Sequence, residues 1–367
     1  MSKLDELIAE LCPNGVEYKN LKEICGTITT GKLNANAMVE NGKYAFFTCD
    51  ATPFRIDSYA FDTEAILVSG NGSQVGHINY YKGKFNAYQR TYVLSDFNYT
   101  DVKYLLHYLK GYLRDYIMVH SKKGSVPYIT LPMLQNFKIP IPPLPVQQEI
   151  VRILDNFTEL TAELTAELTA RRKQYEYYRN EIMQLKHWHD RKTITEMSLG
   201  DIYDFQYGKG NVIPTNGGEY PVYGSNGIVG THFEYNSEDA PVIGHIGAYA
   251  GIVNWGYGKH FVTYNGVICK LKNNSVHSRY AYYLLLLQDF RAQAKSGSQP
   301  FVSYEILKKP RVLIPPFEEQ KRIVAILDRF DALCNDLTSG IPAEIEARQK
   351  QYEYYRDKLL SFKEVKA

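Results

Sequence analysis

The most regular hydrophobic pattern in the chain runs from Val146 to about His187, a stretch without proline or glycine. Apolar side chains occupy two positions of a seven-residue frame there, interrupted by Thr161 and Arg171. An apolar repeat of this period, sustained over five heptads, is typical of a coiled coil. At about 1.5 Å per residue the predicted helix is roughly 60 Å long. The predicted interface positions are Ile150, Leu154, Phe157, Leu164, Leu168, Tyr175, Tyr178, Ile182 and Leu185.

A second segment near the end of the chain follows the same frame. It stops at the sequence Ser-Gly-Ile-Pro (339–342) and resumes with four additional residues. Because glycine and proline disfavour a helix interior, we expect a bend or a break there. The predicted interface positions of this segment are Ile323, Leu327, Phe330, Cys334, Leu337, Tyr352, Tyr355 and Leu359.

The two segments are copies of each other. Residues 142–157 (PPLPVQQEIVRILDNF) match residues 315–330 (PPFEEQKRIVAILDRF) at nine of sixteen positions, and KQYEYYR at 173–179 returns at 350–356. A repeat this long indicates a chain built twice, and the unit is far longer than a solenoid repeat. We therefore expect two lobes related by an approximate twofold axis.

The connection between the copies predicts the direction of the helices. The first helix ends near residue 187 and the second lobe begins near residue 199, a link of about eleven residues. A parallel pair would require the chain to return over roughly 60 Å of helix. The sequence therefore predicts an antiparallel pair that holds the two lobes apart.

Each copy carries a globular stretch before its Pro-Pro segment. Short β-branched and aromatic runs alternate with turn residues, for example 65–69, 90–94, 241–244 and 261–270, and one helix is predicted at 102–119 and at 279–294. The predicted fold class is α/β, with two globular α/β domains separated by a long antiparallel two-helix coiled coil and internal pseudo-twofold symmetry. The predicted division is a first domain at 1–141, a first helix and linker at 142–198, a second domain at 199–314 and a second helix at 315–367.

Composition narrows the class of protein without identifying it. The 367 residues are 44% hydrophobic and 22% charged, as in ordinary globular proteins, and the formal net charge is only +2. No apolar run is long enough for a membrane helix, and the N-terminus lacks the apolar core of a signal peptide. Five cysteines without CxxC spacing predict a reducing cytoplasm, with neither disulfides nor a zinc site.

No catalytic arrangement emerges from the motifs. A P-loop is absent, and the Pro-Pro pairs lack the preceding Asn or Asp that would hold a target amine. The pair His187 and His189 is spaced i, i+2, which does not place both side chains on one helical face, so we expect no metal site. The glycines of 70–77 are interpreted as a turn. We therefore predict that the chain is not an enzyme on its own.

Polar loops at equivalent places in both lobes are the remaining candidates. Lys, Arg, Asn, Gln and Ser are the residue types that reach phosphates and base edges. Divergent loops on a duplicated frame suggest two readers of unlike half-sites. The candidate DNA-binding residues are Lys32, Asn34, Asn71, Ser73, Gln74, Gln89, Arg90, Lys122 and Lys123 in the first lobe, and Lys209, Asn211, Asn226, Tyr249, Asn265, Lys295, Ser298 and Gln299 in the second.

Over essentially its full length, the chain resembles a specificity subunit of a type I restriction-modification enzyme. The resemblance rests on two variable regions, each followed by a helix that opens with Pro-Pro and a Gln/Glu pair, and on the Gly-Ser element before each helix. It implies two target-recognition domains that read a bipartite asymmetric DNA site, with the coiled coil setting the gap. It also implies two methyltransferase subunits that bind S-adenosylmethionine, optional restriction subunits, and no cofactor in this chain.

Two alternatives remain open from the residues alone. One is a non-enzymatic coiled-coil scaffold that displays two ligand-binding lobes to protein or glycan partners. The other is a self-contained modification enzyme, against which the missing catalytic motifs argue.

Overall fold

A computed structural model describes residues 3–120, 127–185, 191–294, 299–336 and 338–365. The chain divides into two compact units. The first comprises residues 1–165 and 344–367, and the second comprises residues 166–343. Each unit therefore contains one globular stretch and parts of both predicted helical segments. The four predicted segment boundaries stay a prediction.

The first unit is a mixed α/β domain. Its strands are β1 (Glu17–Asn20), β2 (Cys25–Thr30), β3 (Tyr44–Phe47), β4 (Phe54–Ile56), β5 (Phe61–Ser69), β6 (Ile78–Ala87), β7 (Thr91–Phe97) and β8 (Lys138–Ile141). Its helices are α1 (Lys3–Leu11), α2 (Leu21–Ile24), a 3-10 turn (Ala35–Ala37), α3 (Val102–His120), α4 (Leu131–Gln135) and the first part of α5 (Leu144–Met183).

A six-stranded sheet organises this unit, in the order β2-β7-β5-β6-β3-β4. All neighbours are antiparallel except β3 and β6, which run parallel. Alternate residues of a strand face opposite sides of a sheet. Ile66 and Val68 of β5 accordingly share a core with α3, whereas Ala65 and Leu67 belong to a separate cluster around Phe85. Both faces of the central strand are thus covered, which explains its continuous apolar run.

The second unit repeats these elements. Its strands are β9 (Thr195–Ser198), β10 (Tyr203–Tyr207), β11 (Tyr220–Gly224), β12 (Gly227–His232), β13 (Ser237–Gly244), β14 (Val253–Val262), β15 (Gly266–Leu271) and β16 (Arg311–Ile314). Its helical elements, in addition to the second part of α5, are a 3-10 turn (Arg191–Thr193), α6 (Leu199–Ile202), α7 (Ser278–Leu286), α8 (Phe290–Gln293), α9 (Tyr304–Lys308) and α10 (Phe317–Asn335). A last helix, α11 (Ile341–Leu359), leads back into the first unit.

The two sheets have the same topology. The second sheet runs β10-β15-β13-β14-β11-β12, which matches the first sheet strand for strand, including one parallel pair between β11 and β14. Two-stranded sheets, β1 with β8 and β9 with β16, are also equivalent. The predicted fold class of two mixed α/β domains with a long helical segment is confirmed at this level. One detail differs from the prediction: the helix predicted at 279–294 is two helices, because Asp289 caps α8 by accepting a hydrogen bond from Ala292 N at 2.9 Å.

The helical segments pack against each other within each unit. In the first unit the rings of Phe157 and Tyr355 stack at 5.3 Å. In the second unit Arg172 donates a hydrogen bond to the Cys334 carbonyl at 3.3 Å. The early part of α5 thus contacts the late part of the second helical segment, and the late part of α5 contacts the early part of that segment. This order is that of the antiparallel pairing predicted from the link length.

Most of the described interface positions lie at least partly buried, and two, Tyr178 and Tyr355, are exposed. Ile150, Leu154, Tyr175, Ile323 and Leu327 are buried, and Phe157, Leu164, Leu168, Ile182, Phe330, Tyr352 and Leu359 are half-buried. Tyr355 is 39% exposed although it stacks on Phe157, and Leu337 lies outside the described residues. Tyr178 is 44% exposed and contacts the ring of Tyr177, although the frame positions Tyr175 and Leu185 on either side of it are buried. The strict heptad frame therefore fails at Tyr178.

Both Pro-Pro motifs contain a glutamine at the same position, Gln147 and Gln320, and both glutamines are buried. Gln147 donates hydrogen bonds to the carbonyls of Pro142 and Tyr99, and its side-chain oxygen accepts from Asp101 N at 2.8 Å. Gln320 makes the equivalent set, donating to the carbonyls of Pro315 and Ser275 and accepting from His277 N at 2.7 Å. Each glutamine ties the start of a helix to the loop before α3 or α7.

Replacing Gln147 by leucine is expected to lower the free energy of unfolding by about 3 kcal/mol, since a buried polar group left without a partner costs about 1–3 kcal/mol and several would be orphaned here. The exposed neighbour Gln148 offers a matched control, and its replacement by leucine should change stability by less than about 0.5 kcal/mol. Urea unfolding followed by circular dichroism measures both. Equal effects of the two substitutions would contradict this role.

An aspartate at equivalent positions fastens each globular part to its helix. Asp155 accepts hydrogen bonds from Lys103 at 2.7 Å and from His107 Nε2 at 2.9 Å. Asp328 accepts from Arg279 at 2.8 Å and from the Tyr283 hydroxyl at 2.5 Å. Burial alone would raise the pKa of Asp155, but the two hydrogen bonds outweigh burial and the pKa is lowered. The carboxylate therefore stays ionised at neutral pH.

His107 should make the first unit less stable in mild acid. Burial lowers the pKa of His107 below its usual 6.5, and the hydrogen bond to Asp155 opposes this only in part, while Lys103 and Lys110 add to the lowering. Below pH 6.5 His107 therefore binds a proton more readily in the unfolded chain than in the folded unit. The free energy of unfolding consequently falls as the pH drops. Replacing His107 by glutamine should remove up to about 1.4 kcal/mol per pH unit of this dependence. The measurement is the urea midpoint of the wild-type chain and of the His107→Gln variant from pH 7 to pH 5. An equal fall of the midpoint in both would contradict this role of His107.

Candidate nucleic-acid interface

Three of the predicted polar loops of the first unit line one cleft of about 380 Å³, here called the N-terminal cleft. It lies where the end of β2, the loop after β5 and the turn before β7 meet the segment after residue 126. Its lining residues are Thr30, Gly70, Asn71, Gln89, Arg90, Tyr92, Tyr128 and Ile129. The structure thus brings together loops that lie far apart in the sequence.

Backbone hydrogen bonds hold the walls of this cleft in place. Gly70 N donates to the Arg90 carbonyl at 2.9 Å, and the Gly70 carbonyl accepts from Ile129 N at 2.8 Å. A side chain at Gly70 would meet the Arg90 carbonyl oxygen at 2.3 Å, so only glycine permits this approach. These hydrogen bonds therefore hold the backbone at Arg90 in place, although the Arg90 side chain is exposed.

The side chains around the cleft are polar and partly pre-positioned. Gln89 Nε2 donates to Asn34 Oδ1 at 2.8 Å, and the Cys49 thiol donates to Asn71 Oδ1 at 3.1 Å. The Arg90 side chain is exposed, and within the described ranges no carboxylate forms an ion pair with its guanidinium. Burial raises the pKa of Tyr92, so it remains a neutral phenol that donates to the Ile129 carbonyl at 3.0 Å. The cleft offers amide groups and one guanidinium to a ligand.

The loop after β5 projects beside the cleft. Two glycines with positive φ, Gly72 (φ 84°) and Gly76 (φ 78°), turn the chain, and Val75 is buried between them. Ser73 and Gln74 are therefore exposed at the tip. Lys32 and Asn34 are exposed on the loop after β2, whereas Lys122 and Lys123 lie outside the described residues.

The second unit has the same backbone arrangement. His245 N donates to the Asn265 carbonyl at 2.8 Å, and the His245 carbonyl accepts from Val302 N at 2.9 Å. The Ser225 hydroxyl donates to the Asn265 carbonyl at 3.0 Å, as the Cys49 thiol does to the Arg90 carbonyl at 3.5 Å. His245, Asn265 and Ser225 therefore correspond to Gly70, Arg90 and Cys49.

Aromatic side chains distinguish the second unit. The ring of His245 lies 4.3 Å from that of Tyr207, 5.6 Å from that of Tyr264 and 6.5 Å from that of Phe301. His245 is buried, and its Nδ1 donates to the Val302 carbonyl at 3.0 Å. Burial raises the pKa of Tyr207, which keeps this phenol neutral. On the equivalent surface, His245 thus takes the place of Gly70 and Tyr264 that of Gln89.

The other candidates of the second unit are mostly at the surface. Lys209, Asn211, Asn226, Tyr249 and Gln299 are exposed, and Asn265 is half-buried. Lys295 and Ser298 lie outside the described residues, as do His187 and His189. In the part of the chain that the structure covers, no group of three or more His, Cys, Asp or Glu side chains is arranged to hold a metal ion.

Two aromatic residues at these surfaces were missed by the sequence reasoning. Tyr128 lines the N-terminal cleft, and Phe301 takes the equivalent place in the second unit, each beside an isolated β-bridge to the loop after the central strand. Both belong to the repeated Gly-Ser-x-Pro-aromatic sequence at 124–128 and 297–301. An aromatic residue kept in both copies was the signal that could have found them.

No described helix has the length and apolar character needed to cross a membrane.

Comparison with known proteins assigns the family. The model of the type I restriction modification DNA specificity domain matches residues 13–171 and again 191–347. A putative type I restriction enzyme specificity subunit of Haemophilus influenzae is 31% identical over 95% of this chain and 96% of its own length.

Two solved structures share the fold. The crystal structure of a type I restriction-modification S subunit from M. genitalium has a TM-score of 0.61 at 20% identity and covers 95% of this chain and 97% of that chain. A chain from a structural study of complex assembly and conformational transition of the type I system has a TM-score of 0.58 at 16% identity, covering 95% and 98%.

The family match falls once on each copy of the repeat, and the relative is aligned over nearly the whole of both chains. The chain therefore belongs to the type I restriction-modification DNA specificity family, as a specificity subunit rather than a catalytic one.

Proposed function

We propose that the chain is the sequence-specific DNA-recognition subunit of a type I restriction-modification complex. In this proposal each unit reads one half of a bipartite, asymmetric DNA site. The observation that carries the proposal is the pair of equivalent loop surfaces, which share backbone hydrogen bonds but differ in side chains. The shared backbone arrangement would place the loops of both units in the same way against DNA. The different side chains would then recognise different base sequences.

Two linked readers have a thermodynamic advantage over one. A cleft of about 380 Å³ with a few polar side chains reaches only a few base pairs. A single unit would therefore discriminate weakly against the excess of non-specific DNA. Covalent linkage makes the second contact intramolecular, which raises its effective concentration. Both half-sites together then specify a rare sequence.

Partners should supply the chemistry and much of the phosphate contact. The chain has 42 basic and 40 acidic residues, a balance that gives little electrostatic attraction to DNA by itself. We propose that it assembles with two methyltransferase subunits, which bind S-adenosylmethionine, and optionally with restriction subunits. Membership of the type I specificity family supports this assembly, and one chain of similar fold comes from a structural study of complex assembly in a type I system.

The helical segment is proposed to set the distance between the half-sites. α5 is one continuous helix from Leu144 to Met183, and the boundary between the compact units falls within it, at 165/166. A helix is stiff over this length, with a rise of about 1.5 Å per residue. Its length would therefore fix the gap in the DNA site.

The proposal is tested by base preference in the assembled complex. Gln74 and Tyr249 occupy equivalent exposed places on the loops after β5 and β13, so Gln74→Ala and Tyr249→Ala form a matched pair. Gel shifts with genomic fragments and a methyltransferase subunit should show that each variant relaxes a different half-site. Absence of any sequence preference in the wild-type complex would instead favour a scaffold for protein or glycan partners.

A further inference from the structure

Arg90 and Asn265 occupy the same place in the two units. Each lies in a tight turn before the next strand: Thr91 N donates to the Tyr88 carbonyl and Gly266 N to the Thr263 carbonyl, both at 2.9 Å. The residue before each is also held, because Gln89 N donates to the Leu33 carbonyl and Tyr264 N to the Gly210 carbonyl. Together with the shared bonds to their own carbonyls, these contacts set the two residues in equivalent backbone positions.

The side chains at this position differ in a way that base edges distinguish. An arginine guanidinium donates two parallel hydrogen bonds to O6 and N7 of guanine, whereas an asparagine amide donates to N7 and accepts from N6 of adenine. Arg90 is exposed at the rim of the N-terminal cleft, and no described carboxylate neutralises it. Asn265 is half-buried, and its side chain makes no hydrogen bond with the rest of the described chain. Both polar groups are therefore available to a ligand.

The neighbours of the two residues also differ. Beside Arg90 lie Gln89 and Asn71, whose amides are already hydrogen-bonded to Asn34 and Cys49. Beside Asn265 lies Tyr264, whose side chain is 47% exposed. An apolar ring surface suits the thymine methyl group, which accompanies adenine in an A·T pair.

We propose that this turn position determines base specificity in both units, with Arg90 reading a guanine in the first half-site and Asn265 an adenine in the second. The inference rests on the proposed function and adds to it the base recognised at one position of each half-site. It also makes this position, which both units share, one source of the asymmetry of the DNA site.

The test uses the full chain assembled with its methyltransferase subunit and a library of randomised double-stranded DNA. Arg90→Asn should replace guanine by adenine, or by no preference, at one position of the first half-site and leave the second unchanged. Asn265→Arg should introduce guanine at one position of the second half-site. The preference for the original base should fall about 10-fold to 100-fold, as expected for one bidentate pair. Arg329→Asn, on an exposed arginine of α10 outside both surfaces, is the matched control and should change no base preference.

Each remaining outcome bears on the inference separately from the proposed function. If Arg90→Asn weakens binding equally for all sequences and reduces its salt dependence, Arg90 contacts phosphate and the inference is overturned while DNA recognition stands. If either substitution leaves the selected sequence unchanged, the inference is also overturned. If the wild-type complex selects no sequence at all, the proposed function itself fails.

Discussion

Adding one Thr-Ala-Glu-Leu unit to the 161–170 run of α5 is expected to give a complex that selects the same two half-sites with a longer gap. The run is itself a four-residue repeat, so the insertion preserves its sequence pattern and its exposed threonines and glutamates. Four residues add about 6 Å of helix, which corresponds to roughly one to two base pairs of B-DNA. Methylation of the original site should fall by at least about 10-fold, because a displaced half-site contact costs more than one hydrogen-bonded pair.

Selection of methylated sites from a library with variable gaps measures this change. The same four residues inserted between Glu40 and Asn41, both exposed in a turn of the first unit, provide a control of equal length. The control should keep the original gap. An unchanged gap in the α5 variant, with both half-sites intact, would show that the helix does not set the spacing.

A chain that ends at residue 190 is expected to self-associate and to read a palindrome of the first half-site. This truncation removes the C-terminal segment that covers the first unit, including half-buried Tyr352 and fully buried Leu360. Their counterparts in the first copy, Tyr175 and Met183, are 5% and 2% exposed in the second unit. Without the second unit these side chains would be uncovered, and a second copy of the truncated chain offers the matching surface.

Light scattering should give the mass of a dimer, and site selection with a methyltransferase subunit should give two identical half-sites. Replacing Met183 by aspartate in the same truncated chain provides a control, since a charge at a buried interface position should abolish association. A folded truncated chain that remains monomeric at high concentration would contradict the pairing of the two helical segments.

The helical segments were the most predictable part of the fold. The heptad pattern and the absence of proline and glycine predicted a helix from Val146, and α5 runs from Leu144 to Met183. The Ser-Gly-Ile-Pro interruption predicted the break between α10 and α11. Tyr178 departs from the prediction, although the frame positions Tyr175 and Leu185 on either side of it are buried. Whether a frame position is covered depends on which residues of the globular part meet the helix, which the heptad pattern does not record.

The loop surfaces were predictable by residue type but not by their mutual positions. Asn71 and Gln89 come together because β5 lies between β6 and β7 in the sheet. The order of the strands in the sheet therefore differs from their order along the chain. Short strands with similar apolar patterns do not reveal such an order. The correspondence of Arg90 with Asn265 was equally hidden, since insertions between the copies change the offset from that of the Pro-Pro segments.

The most direct test of the account is a map of every adenine or cytosine methylated in genomic DNA by the complete complex containing this chain. Two unlike short sequences separated by one fixed gap are the predicted result. A single uninterrupted recognition sequence, or methylation without sequence preference, would contradict the claim that two duplicated units on paired helices read the DNA in two places.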